Sequence, residues 1–224
     1  MELDVSALRQ KYRENGRQDD QFRPFTYEKG VLSRADGSAK ITIEKTIVLA
    51  SVLAPKKPVK SVKENFYQAT VEVNINYLND KDSANIIENG YYIQKLLESM
   101  IQRTYFPRST IIVNVQIISD DGSLLSSIIQ AVLLALIDAE IPIKSNIYAV
   151  TLCRAIDGRY LIDPDLKEQT AASTSIILGF NDDLKLSVCK QSGIVEEQEL
   201  FDLIEMGKKA AKYLQKIMEH PILN

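Results

Sequence analysis

The sequence predicts one α+β domain, and three observations support this fold class. The chain has 224 residues, which suits one large domain, and its hydrophobic fraction of 45% and charged fraction of 25% are those of an ordinary globular protein. Some segments alternate apolar and polar residues, which is typical of strands, whereas others repeat their apolar residues at the helical period. These segments follow one another as strands, helix, strand, helix, strands and helix.

The chain opens on residues 1–24, which are polar and charged, and we expect them to form an arm outside the core. The single domain is then predicted to span residues 25–224. Residues 39–52 alternate and are rich in β-branched residues, which predicts one strand after a turn at Asp36-Gly37. Residues 68–77 alternate again. We therefore expect an antiparallel sheet in this first part of the domain.

The middle and the end of the chain change to the helical period. Helices are predicted over 83–103, 123–139 and 196–218. The second of these is apolar nearly all round, so we expect it to be buried on most sides. Further strands are predicted over 110–118, 146–154, 159–162, 173–180 and 184–190.

The composition excludes several classes of function. Two cysteines, Cys153 and Cys189, and one histidine, His220, argue against a zinc module, a disulfide scaffold and a usual Ser-His-Asp hydrolase. We expect reduced cysteines and neither a metal nor a cofactor. The net charge of −3 means that any RNA contact has to come from a local patch. The charged N-terminal segment indicates no signal peptide, and no apolar run is long enough for a bilayer, so we expect no membrane partner.

The turn Asp120-Asp121-Gly122-Ser123 precedes the second predicted helix and has two interpretations. Its backbone N–H groups and the Ser123 hydroxyl could hold a phosphate at the helix N-terminus. The alternative is an ordinary N-cap, in which the Ser123 or Asp121 side chain accepts from free amides. Two acids would repel a phosphate, which favours the N-cap. At the far end of this helix Asp138 opposes the helix dipole, so we expect it to have a hydrogen-bonding partner.

A second acidic candidate, Asp163-Pro164-Asp165, follows a predicted strand, with Glu168 nearby. A pair of carboxylates there could hold a metal or supply a general acid. Asp-Pro-Asp is also a common turn at the end of a strand. The residues alone favour the turn.

One local cluster of positive charge stands out, in a loop that begins at Pro55. Four lysines in eight residues could contact a phosphate backbone. A solvated loop on an otherwise acidic surface is the other interpretation, and the residues alone leave both open. These lysines are Lys56, Lys57, Lys60 and Lys63.

Four segments together resemble the RNase PH family of phosphate-dependent exoribonucleases. The most specific is DDGSLLSSIIQAVLLALIDAEIPI, residues 120–143, and the resemblance extends from about residue 13 to residue 219. It implies the RNase PH-like fold, similar to ribosomal protein S5 domain 2, in six-membered rings around an RNA channel. The other segments are Asn15-Gly16-Arg17 with Phe22-Arg23-Pro24, residues 35–39 with Thr46 and Pro55, and Phe106-Pro107-Arg108.

Within the family, the chain resembles ring subunits of the eukaryotic RNA exosome. Residues 32–39, 65–73, 119–125 and 162–164 are similar to one type of ring subunit. The Asn15-Gly16-Arg17 arm is more similar to a sister type.

The chain departs from the active members of the family at the residues that matter for phosphorolysis. The resemblance implies an arginine after the Gly-Ser turn, a basic residue in the preceding helix, and two aspartates six residues apart. Here these positions hold Leu124, Gln94, and Asp163 followed by Gln169. Each lost charge-assisted contact is worth roughly 1.5–3 kcal/mol, so we expect no useful turnover. Ser123 and Asp163 would then be remnants of the family's site.

The resemblance therefore implies a non-catalytic ring subunit that supports 3′-to-5′ RNA processing and lines the RNA channel. An active phosphorolytic enzyme that borrows arginines from a neighbour is the first alternative, and a free homodimeric RNA-binding protein is the second. The implied partners are other RNase PH-like ring subunits, S1/KH cap subunits and single-stranded RNA, in the nucleus, nucleolus and cytoplasm. RNA contact is expected at Lys56, Lys57, Lys60, Lys63 and Arg108.

One further departure concerns the end of the second predicted helix. Glu140 stands where the family has a glycine. The helix therefore cannot end in the usual left-handed cap without strain.

Overall fold

A computed structural model describes residue 13 and residues 16–56, 65–78 and 84–223, with side chains described outside 84–86 and 220–223. Two sheets and four helices make up this part of the chain. The strands are β1 Phe25–Lys29, β2 Gly37–Ile43, β3 Thr46–Lys56, β4 Thr70–Tyr77, β5 Thr110–Ser119, β6 Tyr148–Arg154, β7 Tyr160–Ile162, β8 Thr174–Phe180 and β9 Leu186–Ser192. The helices are α1 Ala84–Met100, α2 Leu124–Asp138, α3 Leu166–Ala171 and α4 Glu197–Leu223, and a 3-10 turn spans Arg103–Tyr105.

The first sheet has the strand order β1-β2-β3-β5-β4, and the second has the order β7-β6-β8-β9. The α+β prediction is confirmed, but the expectation of a wholly antiparallel first sheet is wrong. β4 pairs with β5 in parallel, with Thr70 opposite Thr110. The physical reason is α1, which lies between these strands in sequence and returns the chain to its starting edge, as a parallel crossover requires.

The single strand predicted over 39–52 is a hairpin, β2 and β3, and the prediction was wrong there. Glu44 adopts a left-handed φ of 54° at the turn. The buried positions reveal the turn, because they are odd-numbered in β2 (Ile41, Ile43) and even-numbered in β3 (Thr46, Val48). That change of phase was present in the sequence.

Helix α2 lies between the two sheets and forms the centre of the core. It packs against β2 and β3 on one side and against β6 on the other. All its residues from Leu125 to Leu136 are buried, which confirms the expectation drawn from its apolar surface. The longer helix α4 packs against β6 and β8. Among the described residues, no helix combines the length and apolar character needed to cross a membrane.

The C-terminal end of α2 approaches β2 very closely. A Cβ atom on Gly37 would clash with the backbone of Ala135 and Ala139, so only glycine fits at that position. The neighbouring Ser38 N–H donates to Asp138 Oδ2 at 2.9 Å. The prediction that Asp138 has a hydrogen-bonding partner is therefore confirmed.

The described part of the N-terminal arm, residue 13 and residues 16–24, contacts the domain through three buried arginines. Arg13, Arg17 and Arg23 are only 5%, 8% and 2% exposed. The polar and charged composition of this segment did not reveal these buried contacts. Their charges are matched by acids of the domain, and several of their donors bond to its backbone carbonyls.

Candidate functional site

Hydrogen bonds to other parts of the protein hold the turn between β5 and α2. Gly122 and Ser123 both have positive φ, 89° and 52°. The Ser123 hydroxyl donates to Pro164 O at 2.9 Å. No side chain caps the helix from Ser123, so the predicted Ser123 N-cap is wrong, because its left-handed backbone turns the hydroxyl to another partner.

The Ser123 N–H, which would face a phosphate at this helix start, has a protein acceptor. It donates to Gln169 Oε1 at 3.0 Å. Gln169 lies on α3, a short helix that the sequence interpretation missed. Asp165 caps α3 by accepting from Glu168 N, and the Glu168 side chain accepts from Asp165 N. The Asp163-Pro164-Asp165 segment is thus a turn with a helix cap, as the residues favoured.

The two other positions expected to lack charge make contacts within the protein. Leu124 packs against the hydrophobic core at the start of α2. The Gln94 side chain donates to Glu98 Oε1 at 3.3 Å within α1. Neither residue offers a positive charge to an anion.

A cavity of about 530 Å³ adjoins Leu124 and Gln169. Its one described cation is Lys190 on β9, which the sequence interpretation missed because a single lysine in a strand has no distinguishing pattern. Lys190 Nζ lies 2.7 Å from Glu88 Oε1, so its charge is already paired. Asp120 adds a further negative charge to the lining. The described charges of this cavity therefore disfavour a phosphate.

Asp163 lies behind this turn in a buried ion pair with Arg23. Arg23 Nη2 donates to Asp163 Oδ1 at 2.7 Å, and Arg23 Nε donates to Oδ2 at 3.0 Å. Burial alone would raise the pKa of Asp163, but the hydrogen bonds and charge of Arg23 outweigh it and hold the pKa below its ordinary value. A carboxylate held ionised in this way cannot serve as a general acid near neutral pH.

The arm arginines complete the cluster around Asp163. Arg13 donates to Ile162 O at 2.5 Å and Arg17 donates to Asp163 O at 3.1 Å. Both guanidinium groups lie 3.5 Å from Glu168 Oε2. The cluster attaches the arm to the end of β7, which is a structural role. Asn15 of the same arm lies outside the described residues.

The predicted RNA-contact residues are only partly described. Lys56 ends β3, and its Nζ lies 4.0 Å from Asp36 Oδ2. Lys57, Lys60 and Lys63 lie outside the described residues. Arg108 is exposed, and its guanidinium carbon lies 4.9 Å from the centre of the Phe66 ring.

No group of three or more His, Cys, Asp and Glu side chains among the described residues could hold a metal ion. Cys153 is buried and Cys189 is exposed, and both are free thiols. Burial raises the pKa of Cys153 to about 12, so its thiol stays protonated at neutral pH.

Comparisons with known proteins identify the family. The model of the 3′ exoribonuclease family, domain 1, matches residues 21–142, and the model of domain 2 matches residues 146–210. An exosome complex exonuclease RRP46 homolog of Arabidopsis thaliana is 34% identical over 191 residues, 84% of this chain and 77% of that protein. The exosome complex component Rrp41 of Archaeoglobus fulgidus is 28% identical over 224 residues, 93% of this chain and 85% of that protein.

The crystal structure of rice Rrp46 superposes with a TM-score of 0.87 at 30% identity, over 94% of this chain and 100% of that one. The resemblance to exosome ring subunits stated from the sequence is therefore confirmed. The RRP46 type is the one that residues 32–39 and 119–125 resemble, and the Rrp41 type is the sister that the arm resembles.

Proposed function

The chain belongs to the 3′ exoribonuclease family that RNase PH represents, and we propose that it is a non-catalytic subunit of an RNA exosome ring. Its partners are other RNase PH-like ring subunits and S1/KH cap subunits, and it helps to form the channel through which single-stranded RNA passes. The similarity to RRP46 and Rrp41 proteins over most of the chain supports ring membership. We further propose that it acts in the nucleus, the nucleolus and the cytoplasm.

One observation carries the non-catalytic part of the proposal. The Ser123 N–H donates to Gln169 Oε1 at 3.0 Å, so the backbone donor at the start of α2 is already occupied. Phosphorolysis needs an inorganic phosphate held beside the phosphodiester, and two anions come together only with nearby positive charge. Leu124 supplies none, and Lys190 is already ion-paired with Glu88.

The chemistry of bond cleavage also lacks a proton donor here. When a phosphate oxygen attacks the terminal phosphodiester, the bond to the 3′ oxygen of the preceding nucleotide breaks and that oxygen takes up a proton. Asp163 is ionised and both of its oxygens accept from Arg23. Gln169, at the position of the second acid, has no acidic proton to give.

The phosphate site is tested by titrating inorganic phosphate into ¹⁵N-labelled protein and following the Ser123 amide resonance. We expect no saturable shift, because the N–H is bonded to Gln169. The Gln169→Ala variant is the matched control, since it removes the acceptor and leaves the turn in place. A saturable shift in the wild type that equals the shift in the variant would overturn the proposal.

Ring membership is tested by purifying the tagged chain from cells. We expect other RNase PH-like subunits to co-purify in equal amounts. A monomer, or a homodimer without such subunits, would favour the free RNA-binding protein instead. In the active alternative, a neighbouring subunit supplies arginines to the cavity around Gln169. The complex would then release nucleoside diphosphates, and substitutions in that cavity would reduce the release.

A further inference from the structure

Three aromatic side chains lie exposed on the two segments that lead into β4 and β5. Phe66 is 63% exposed, Tyr67 is 86% exposed and Tyr105 is 65% exposed. Large aromatic groups exposed together are unusual on a soluble domain and indicate a binding surface. We call Phe66, Tyr67, Tyr105 and the adjacent Arg108 the aromatic patch.

Backbone hydrogen bonds hold the two segments of the aromatic patch together. Arg108 N donates to Asn65 O at 3.0 Å, and Ala69 N donates to Arg103 O at 2.9 Å. Thr70 N donates to Ser109 O at 2.9 Å. The aromatic side chains therefore stand on an ordered edge, so a ligand that binds them pays little to order the backbone.

The surroundings of the aromatic patch are positively charged. The Arg108 guanidinium lies over the Phe66 ring at 4.9 Å, within the range of a cation–π contact. Lys56 is opposite Thr110 in the β3–β5 pairing, at the same end of the sheet as Arg108. The lysine-rich segment that begins at Lys56 leads in sequence directly to Phe66.

We propose that the aromatic patch is a stacking platform for the bases of single-stranded RNA, with Phe66 as the principal contact. Every base has a π-face, so an exposed ring binds RNA without sequence preference, and Arg108 and Lys56 hold the phosphates. A neighbouring protein subunit is the other occupant that the test distinguishes, because protein interfaces are also rich in Phe, Tyr and Arg. We favour RNA because the described cations at this end of the sheet, Arg108 and Lys56, suit its phosphates. The platform deepens the proposed function and rests on it.

The test uses the complex purified through a tag on the wild-type chain or on a variant. The probe is a single-stranded RNA that contains 2-aminopurine, whose fluorescence falls when the base stacks. Phe66→Leu removes the ring and keeps an apolar side chain, and Phe66→Trp keeps a stacking surface. Phe201→Leu is the matched control, because Phe201 is also exposed, at 62%, but lies on α4.

We expect Phe66→Leu to weaken RNA binding by about fivefold or more and to restore fluorescence. Phe66→Trp and Phe201→Leu should bind as the wild type does. The slope of log affinity against log salt should not change in Phe66→Leu, because no charge is lost. Arg108→Ala should reduce the magnitude of this slope by about 0.7.

Two results would overturn the stacking platform. The first is unchanged RNA affinity and fluorescence in Phe66→Leu while the complex remains whole. The second is loss of the neighbouring subunits from the Phe66→Leu complex, which would assign the aromatic patch to a protein contact. Failure of the wild-type chain to co-purify with ring subunits is a different outcome, and it would overturn the proposed function itself.

Discussion

Arg23 binds Asp163 through its guanidinium and its backbone together. Asp163 Oδ2 accepts from both Arg23 N and Arg23 Nε at 3.0 Å, and Asp163 Oδ1 accepts from Arg23 Nη2 at 2.7 Å. Arg23 is 2% exposed and Asp163 is 5% exposed. The pair joins the N-terminal arm to the end of β7 in the interior of the protein.

Replacing Asp163 should therefore destabilise the protein. Asp163→Asn leaves the Arg23 charge buried without its partner, and we expect a loss of about 3–5 kcal/mol in the free energy of unfolding. Chemical denaturation measures this change. Asp157→Asn is the control, because Asp157 and Arg159 form an exposed ion pair, for which we expect a loss of at most about 1 kcal/mol. Equal effects of the two substitutions would contradict the structural role of Asp163.

The pH dependence of the Asp163 contribution follows from the direction of its pKa shift. The pKa of Asp163 is lowered in the folded protein. Its contribution is therefore fully present above the unfolded pKa of about 3.9 and is lost as the pH falls through the folded pKa. The difference in stability between wild type and Asp163→Asn should narrow below about pH 4. If the difference in stability between wild type and Asp163→Asn stays constant as the pH falls, the pKa of Asp163 is not lowered in the folded protein.

The end of α2 gives a second prediction about stability. Ile141 N donates to Leu136 O and Glu140 N donates to Ile137 O, both at 3.0 Å, with Glu140 at φ 54°. This is the Schellman cap that glycine favours, so the expected strain at Glu140 is present. Glu140→Gly should stabilise the protein by about 1 kcal/mol, which corresponds to a rise of about 2–4 °C in Tm.

Glu205→Gly is the matched control for that measurement. Glu205 is exposed in the interior of α4, where glycine should destabilise by about 0.5–1 kcal/mol. Thermal unfolding of the two variants should therefore shift in opposite directions. A fall in Tm for Glu140→Gly would show that the Glu140 side chain contributes more than its backbone strain costs.

The lysine-rich loop gives a prediction about RNA binding by the assembled complex. Each lysine that contacts a phosphate contributes about 0.7 to the slope of log affinity against log salt. Replacing all four with alanine should lower the slope by up to about 3 and leave assembly intact. The four residues are Lys56, Lys57, Lys60 and Lys63.

Four lysines of α4 provide the control for the loop variant. They carry the same total charge on another element, so their replacement should leave the salt slope unchanged. Equal slopes in the wild type and the loop variant would mean a solvated loop and a purely architectural subunit. The control lysines are Lys208, Lys209, Lys212 and Lys216.

The sequence predicted the helices and most strands because their apolar periods are regular. It failed where local pattern does not determine the partner. The parallel pairing of β4 with β5 depends on a crossover, and the burial of Arg13 and Arg17 depends on carbonyls that are distant in sequence. The short helix α3 buries none of its own residues and so has no apolar period to detect.

The missing charges of the candidate site were predictable from the sequence, but the contacts that its residues make instead were not. The absence of charge at Leu124 and Gln169 follows from the resemblance alone. The hydrogen bond from Ser123 N to Gln169 Oε1 required the structure, because it joins residues 46 positions apart. The pairing of Lys190 with Glu88 is likewise a contact between distant elements.

The central claim is that this chain has no phosphorolytic site, and restoring one charge does not create one. In active members of the family, the arginine after the Gly-Ser turn, the basic residue in the preceding helix and the second aspartate act as a unit. Their effects on the reaction rate are therefore not additive. Leu124→Arg would still have Gln94 and Gln169 in place. We therefore expect this variant to be as inactive as the wild type.

The most direct measurement is the phosphate-dependent release of nucleoside diphosphates from single-stranded RNA with Mg²⁺, by the isolated chain and by its complex. An active RNase PH-type enzyme in the same assay serves as the positive control. We expect no release by the isolated wild type or by Leu124→Arg, and no change in the complex when it carries Lys190→Met. Robust release by Leu124→Arg, or release by the wild-type complex that Lys190→Met abolishes, would contradict the claim.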